Sequence, residues 1–426
     1  MSRVVVIGAG AMGLAAGYYA AKRGHSVIVL EAAPEPGGMA AHFDLGGLSI
    51  ERYYHFVCKS DQSTFDLLAE LGLGNKMRWV PTSMGYYVDG KLYPWGNPVA
   101  LLKFPKLSLI DKIRYGAMVF LATKRSDWHS LEKLSAKDWI ISWCGRGVYE
   151  RLWAPLFKLK FYEFADSISA AWVWTRIKRV GTSRRSMMQE ELGHIEGGSE
   201  TLIHALVEAI DKKGGAVALN APASRIEASG GRVTGVSAGG TFYPADAVIC
   251  TVPTPLVRRL VSDLPAIDTA RYDAIKNIGV VCVVFRLKRS ITPHFWVNIT
   301  DRRFDIPGIV EFSNLRATGD TVVYIPYYMP VTHPKFANDD AYFRAQGFAY
   351  LKLLNPQLRD DDLIACHVGR LRHAQPVCPP GFLATLPLVE TAVGGLQIAD
   401  TCFYYPEDRG ISESVRFGKM MAERVP

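Results

Sequence analysis

The chain has 426 residues, more than one compact core readily absorbs, so two domains or one domain with large insertions are expected. A composition of 49% apolar and 21% charged residues excludes a disordered or collagen-like chain, and the net charge of +8 is only a modest basic excess. Seven scattered cysteines without a CxxC pair argue against a disulfide framework or a zinc site and fit a reducing compartment.

The first residues run directly into a strand pattern, with no secretory leader in view. Val4 to Ile7 form the β-branched apolar run that a buried parallel strand requires. Gly8, Gly10 and Gly13 follow in GxGxxG spacing, a helix pattern stops at Gly24, and a second apolar run, Val27 to Leu30, ends on Glu31. Gly8 permits the tight turn, Gly10 lets a pyrophosphate approach the backbone, and Gly13 lets helix and strand close up. The amides and dipole at the helix start hold phosphate, and Glu31 accepts from ribose hydroxyls while repelling a 2′-phosphate. These residues point to a dinucleotide and away from NADP.

The next stretch, APEPGGMAAHF, adds Gly37 and Gly38. The extended glycine pattern resembles the FAD-binding fold shared by amine oxidases, protoporphyrinogen oxidases, phytoene desaturases and UDP-galactopyranose mutases. The resemblance implies FAD as cofactor. Those families carry Arg or Lys directly after the glycine pair, where this chain has Met39. Met39 is kept among the cofactor contacts, with one cation fewer near the pyrophosphate. In GGLSIERYYHFV, the resemblance brings Tyr54 and His55 to the flavin ring. His55 reads as a proton shuttle, a substrate-orienting group or a hydrogen-bonded structural histidine. Glu51 and Arg52 read as a local ion pair or as sheet-edge residues.

A helix is expected from Ser60, with Phe65, Leu68 and Leu71 as its apolar stripe, and GYYVDGKLYPW reads as a hairpin turning at Asp89-Gly90. From about Asn97 to Arg185 the pattern is helical and rich in Trp, Lys and Arg. This stretch resembles the helical substrate region of the protoporphyrinogen oxidase-like group. Its basic run RIKRVGTSRR, Arg176 to Arg185, suits phosphate, an anionic membrane surface or a plain solvated face. The longest apolar run, near YGAMVFLAT, is about nine residues, short of the ~20 that span a bilayer.

The nucleotide-binding pattern then resumes. Gly197-Gly198 precede a helix with Leu202, Leu206 and Ile210 on one face, and short strands lead to DAVICTVP. In the FAD families a strand residue at the place of Ala223 touches the adenosine. Strand-like segments VVCVVFRL and TVVYIPYY and a helix near Tyr342 to Leu354 read as a sheet-plus-helix unit. At the end, LQIAD closes on Asp400, where the resemblance implies a ribityl or pyrophosphate contact. YYPEDRGISES then opens a last helix at Gly410 and Ile411, whose amides would face the flavin N1/C2 carbonyl.

The expected fold is α/β: a Rossmann-like, glutathione-reductase-type FAD domain interleaved with a mixed-sheet plus helical substrate domain. The FAD domain would comprise residues 1–85, 196–262 and 396–426, the helical lid 86–195, and the sheet-plus-helix unit 263–395. The resemblance implies an FAD-dependent oxidoreductase transferring a hydride between flavin N5 and a bulky apolar, lipid-linked or nucleotide-linked small molecule. His55, Tyr404 and Arg409 would orient it and move protons. Two readings compete: a mutase using reduced FAD without net redox, and a non-catalytic FAD carrier. No metal or nucleic acid is expected. The expected location is the cytoplasm or a membrane surface.

Overall fold

The computed structural model describes residues 1–261, 264 and 267–426. Two sheets organise it. The first is parallel and five-stranded, in the order Ala216–Ala218, Ser26–Leu30, Arg3–Ile7, Ala247–Cys250, Leu396–Ile398. Its central strand is apolar on both sides because both faces are covered. Val4 and Val6 join the core formed with helices Ala11–Lys22, Ser199–Asp211 and Ile411–Glu423. Val5 and Ile7 meet Val236 and Val257 on the other face, from strand Arg232–Ala238 and helix Thr254–Val261. Leu202, Leu206 and Ile210 are buried on one helix face, as the sequence pattern required.

The second sheet has seven strands in the order Leu363–Pro376, Asn277–Leu287, Thr321–Met329, Gly308–Glu311, Trp296–Ile299, Met84–Val88, Lys91–Trp95. Val281, Val283 and Phe285 face helix Asp340–Leu354, while Val280, Cys282 and Val284 face the rest of the molecule. The hairpin turns at Asp89-Gly90 as expected, with φ of 51° and 75°. Its strand Met84–Val88 pairs parallel to Trp296–Ile299, so these residues belong to the large sheet. This corrects the expected start of the helical region at residue 86. The expected boundary at 262/263 lies outside the described residues.

Helices Pro98–Lys103, Leu109–Lys124, Ala136–Cys144, Ala154–Phe161 and Ala170–Thr182 form the inserted region. The helix expected from Ser60 begins at Gln62 with Asp61 at its cap. The Asp61 carboxylate accepts from the Cys58 amide (2.9 Å) and forms a two-pronged pair with Arg179 (2.7 and 3.1 Å). That pair ties the inserted helices back to the first segment.

Candidate cofactor and substrate site

The glycine-rich turn is fixed by closeness. Gly8 sits at φ +100°, and a Cβ on Gly13 would lie 1.9 Å from the Gly8 carbonyl oxygen, so neither position tolerates a side chain. Gly10 caps helix Ala11–Lys22 without a side-chain partner, and a Cβ there would meet nothing within 4 Å. An open, uncapped helix start is what a diphosphate needs. Gly37, at φ +114°, donates its amide to the Ala9 carbonyl (2.7 Å), and a Cβ on Gly38 would come within 3.2 Å of Gly10 Cα. The two glycine segments therefore touch, with Met39 following in the turn Gly38–Ala40.

The Glu31 carboxylate is held by the amides of Ala9 (2.7 Å) and Ala33 (2.9 Å). This orients its remaining lone pairs for ribose hydroxyls. The Ala221 amide donates to the Glu31 carbonyl (2.8 Å), which brings Ala223, two residues on, to the same rim.

The last helix completes the arrangement. Helix Ile411–Glu423 starts at Gly410, again without a side-chain cap. It lies on the first helix so closely that a Cβ on Gly418 would be 2.4 Å from the Met12 carbonyl oxygen. Further along, Arg23 donates to the carbonyls of Ala422 and Val425 (3.1 Å to the latter). The two helices therefore run in the same direction, and their amino ends, Gly10 and Gly410, share one end of the molecule. Uncapped amides there, room at Gly10 and a clamped Glu31 fit a flavin adenine dinucleotide.

Asp400 is turned inward. Its oxygens accept from the Thr254 amide (2.6 Å) and the Cys402 amide (2.8 Å), so it braces the turn beneath the last helix. Tyr404 is also sealed in. Its hydroxyl meets Ser414 Oγ (2.8 Å) and its ring packs on Phe417, which gives it a contact that positions the helix. The structure does not bring Tyr404 together with His55 and Arg409.

His55 lies within range of the Arg409 charge. Burial holds His55 down to about 4, the Glu51 carboxylate opposes this, and the Arg409 charge adds to it. Its Nδ1 is buried without a partner. Arg409 donates to the Tyr328 hydroxyl (3.1 Å) and to the Ala374 carbonyl. Tyr54 stands beside them, edge-on to Trp296 (5.6 Å) and Tyr324 (5.7 Å).

Several participants were not legible beforehand. Arg176, from the basic run, turns inward, lies 3.6 Å over the Trp172 ring and pairs with Asp408. Lys160 places its ammonium 4.9 Å from the Tyr328 ring centre and 5.3 Å from that of Trp172. Arg179 is taken by Asp61, so Arg176 and Arg179 do not lie on a solvated face, whereas Arg185 at the end of the run is exposed. Glu51 pairs with Arg316 (3.0 Å) across from His42, not with Arg52.

The family model for flavin containing amine oxidoreductases matches residues 13–342. The chain belongs to this family. Membership implies FAD as the cofactor. Among curated relatives, the tomato (Solanum lycopersicum) 15-cis-phytoene desaturase is 25% identical over 284 residues, 61% of this chain and 48% of that protein. The flavin-containing amine oxidase B of Sus scrofa is 23% identical over 309 residues, 66% of this chain and 56% of that protein. The chain thus spans about half the length of the curated relatives it matches. Among solved structures, an Exiguobacterium sp. 255-15 protein provisionally assigned as a protoporphyrinogen oxidase superposes with a TM-score of 0.74 at 20% identity, covering 99% of this chain and 98% of that one. A putrescine oxidase with bound putrescine gives 0.74 at 19% identity, covering 99% and 98%. These likenesses establish the fold of the chain. No helix among its described residues is long and apolar enough to cross a membrane.

Proposed function

We propose that this oxidoreductase removes a hydride from a C–H beside carbon or nitrogen in a bulky, largely apolar or lipid-linked small molecule, held between the last helix and the seven-stranded sheet. The carrying observation is a convergence of side chains. Tyr54, Tyr328, Trp172, Arg409, Arg176 and Lys160 come from five separate segments and converge beside the uncapped start of the last helix.

We further propose that Gly8, Gly10, Gly13, Gly37, Gly38 and Met39 enclose the diphosphate, and Glu31 and Ala223 the adenosine. Gly410 and Ile411 present amides to the ring, and Asp400 acts through the turn it braces. The cofactor domain is then 1–83, 196–261 and 396–426, with strand Met84–Val88 going to the large sheet and the substrate held between that domain and the remaining residues. Bound FAD supplies a two-electron acceptor at N5. The chain supplies the rest. His55 is held neutral by burial, so its imidazole can orient the substrate through a hydrogen bond. Arg409, fixed on Tyr328 and Ala374, orients the substrate's polar end. Tyr404 keeps the last helix in register.

Purified protein should be yellow, and a substrate should bleach it under anaerobic conditions. Failure of a broad panel of apolar and amine substrates to reduce the flavin counts against the reading. One observation favours a second reading: the inward Arg176 and Arg409 would also suit a nucleotide diphosphate, as in a mutase. Sugar-nucleotide isomerisation only after dithionite reduction, without net flavin oxidation, would decide for it.

The proposed location is a membrane surface facing the cytoplasm. Helix Leu109–Lys124 packs inward through Met118 and Ala122, yet exposes Leu109 (65%), Ile113 (61%) and Phe120 (56%) along the opposite face. Leu102 extends the patch, and Lys103, Arg114 and Lys124 flank it. An apolar stripe with a cationic border suits an anionic bilayer surface. The protein should co-sediment with phosphatidylcholine vesicles containing phosphatidylserine, and the Ile113→Asp/Phe120→Asp double variant should stay in solution. Equal sedimentation of both proteins would reject the surface.

A further inference from the structure

Of the cations around Trp172 and Tyr328, Arg409 has been given a part in orienting the substrate, whereas Lys160 and Arg176 have no individual task in the hydride step. Arg176 lies on the Trp172 ring at 3.6 Å, and Lys160 faces the same ring at 5.3 Å. Lys160 also faces the Tyr328 ring at 4.9 Å, and the hydroxyl of that tyrosine accepts from Arg409 (3.1 Å). Two rings thus hold three cations within one small volume. The carboxylate that faces all three is Asp408: its Oδ2 pairs with Arg176, and its Oδ1 is buried with no hydrogen-bond partner among the described residues. Three positive charges against one negative leave a net +2 when Lys160 is protonated.

No second carboxylate among the described residues balances the excess. Among the described residues no carboxylate lies within ion-pair distance of the Lys160 ammonium, which has only the Phe161, Trp172 and Tyr328 rings around it. Arg176 Nε is buried with no partner. Burial, then Arg176 and Arg409, pushes the Lys160 ammonium well below its ordinary range, while Asp408 alone opposes them. The Arg176 and Asp408 side chains each keep 23% of their surface accessible, so the pair can be reached by a ligand. Uncompensated like charges held close together are costly, and an anion entering between them relieves that cost. A protonated amine there would add a further like charge.

We propose that Lys160, Arg176 and Arg409 form a subsite for an oxyanion carried by the substrate, a carboxylate or a phosphate, and that the site rejects protonated amines. The proposal rests on the reading of the substrate site above and narrows its substrate class. An apolar molecule with one acidic head would place its head on these three cations and its chain along Trp172, Tyr54 and Trp296. Guanidinium and ammonium donors recognise oxyanions through charge-assisted hydrogen bonds, whereas a neutral head leaves the cations unpaired.

Four probes with one apolar chain and different heads test this on the FAD-loaded protein: decanoate, decyl phosphate, decylammonium and decanol. Binding is read from the shift of the flavin absorbance bands and, independently, from the rise in the thermal midpoint. Decanoate or decyl phosphate should bind at least about tenfold tighter than decanol, with decylammonium weaker than decanol. The stronger of the two acids identifies the head as carboxylate or phosphate. In Lys160→Met and in Arg176→Gln the preference for the acid should shrink by about tenfold or more, with decanol binding unchanged. If Arg176→Gln does not fold, Lys160→Met carries the test, because Lys160 holds no other residue through an ion pair. Decylammonium binding as tightly as decanoate, or an acid preference unchanged in Lys160→Met, overturns the subsite. Protein that carries no FAD would instead defeat the oxidoreductase reading, and the thermal midpoint would still decide on the anion.

Discussion

The two halves of the site are built by opposite means. Around Gly8, Gly13, Gly38 and Gly418 the backbone closes on itself until no side chain fits, and the binding groups are amides. Around Lys160, Arg176 and Arg409 the backbone stands back, and long charged side chains reach inward from separate helices and strands. The first half offers one rigid geometry suited to one cofactor. The second half can be re-aimed by changing a few side chains without disturbing the scaffold. A family that keeps one cofactor while its members act on different molecules needs that division.

The largest break in this comparison is expected at Gly13. Gly13→Ala puts a methyl 1.9 Å from the Gly8 carbonyl, which should cost at least about 3 kcal/mol and leave little folded protein in a thermal melt. Its counterpart, Gly10→Ala, meets no protein atom within 4 Å, so its fold should survive. The methyl would occupy the space for the diphosphate, so FAD affinity should fall by roughly tenfold or more, read by titrating the apoprotein with FAD. If Gly10→Ala bound FAD normally, the uncapped helix start would not be the phosphate site.

A smaller effect should separate the halves at Asp408. Asp408→Asn removes the one carboxylate among the three cations, and breaking its contact with Arg176 should cost about 1–3 kcal/mol in urea unfolding. The same change should tighten decanoate binding several-fold and leave FAD occupancy alone. Equal loss of FAD would mean that the cations serve the cofactor instead.

The smallest effect concerns acid stability. His55 sits at about 4 in the folded chain against an ordinary 6.5, with Glu51, His42, Arg409 and the Tyr53 backbone around it. The unfolded chain then binds more protons between those values, so stability falls as pH drops from 6.5 towards 4. His55→Gln should flatten that limb of a melting-temperature profile while leaving the neutral plateau unchanged. An identical acid limb would show that His55 is protonated in the fold.

The cofactor half was largely legible because its constraints are local in sequence. Strand, glycine spacing, helix and Glu31 follow one another within a single βαβ unit, and each residue's task is set by its immediate neighbours. The substrate half was not legible, for a physical reason. In RIKRVGTSRR a helix repeat places Arg176 and Arg179 on one face, but only the partners Asp408 and Asp61, far away in the chain, reveal that the face points inward. Lys160 reads as an ordinary surface lysine until the rings of Trp172 and Tyr328 are seen on either side. The hairpin Met84–Val88 and Lys91–Trp95 was recognised as a hairpin, but its parallel partner at Trp296–Ile299 lies some two hundred residues downstream, beyond any local pattern. Glu51 likewise found Arg316 and not its neighbour Arg52.

The side-by-side docking of helices Ala11–Lys22 and Ile411–Glu423 also has a consequence in time. A ribosome makes the first segment of the proposed cradle long before the second, and only their contact at Met12 and Gly418 brings the two helix starts together. Until then the emerging chain can offer the diphosphate a foothold but no floor for the flavin ring. On the proposed site, tight cofactor capture therefore waits until both segments have been made and joined, and a chain cut short before Leu396 should lack colour.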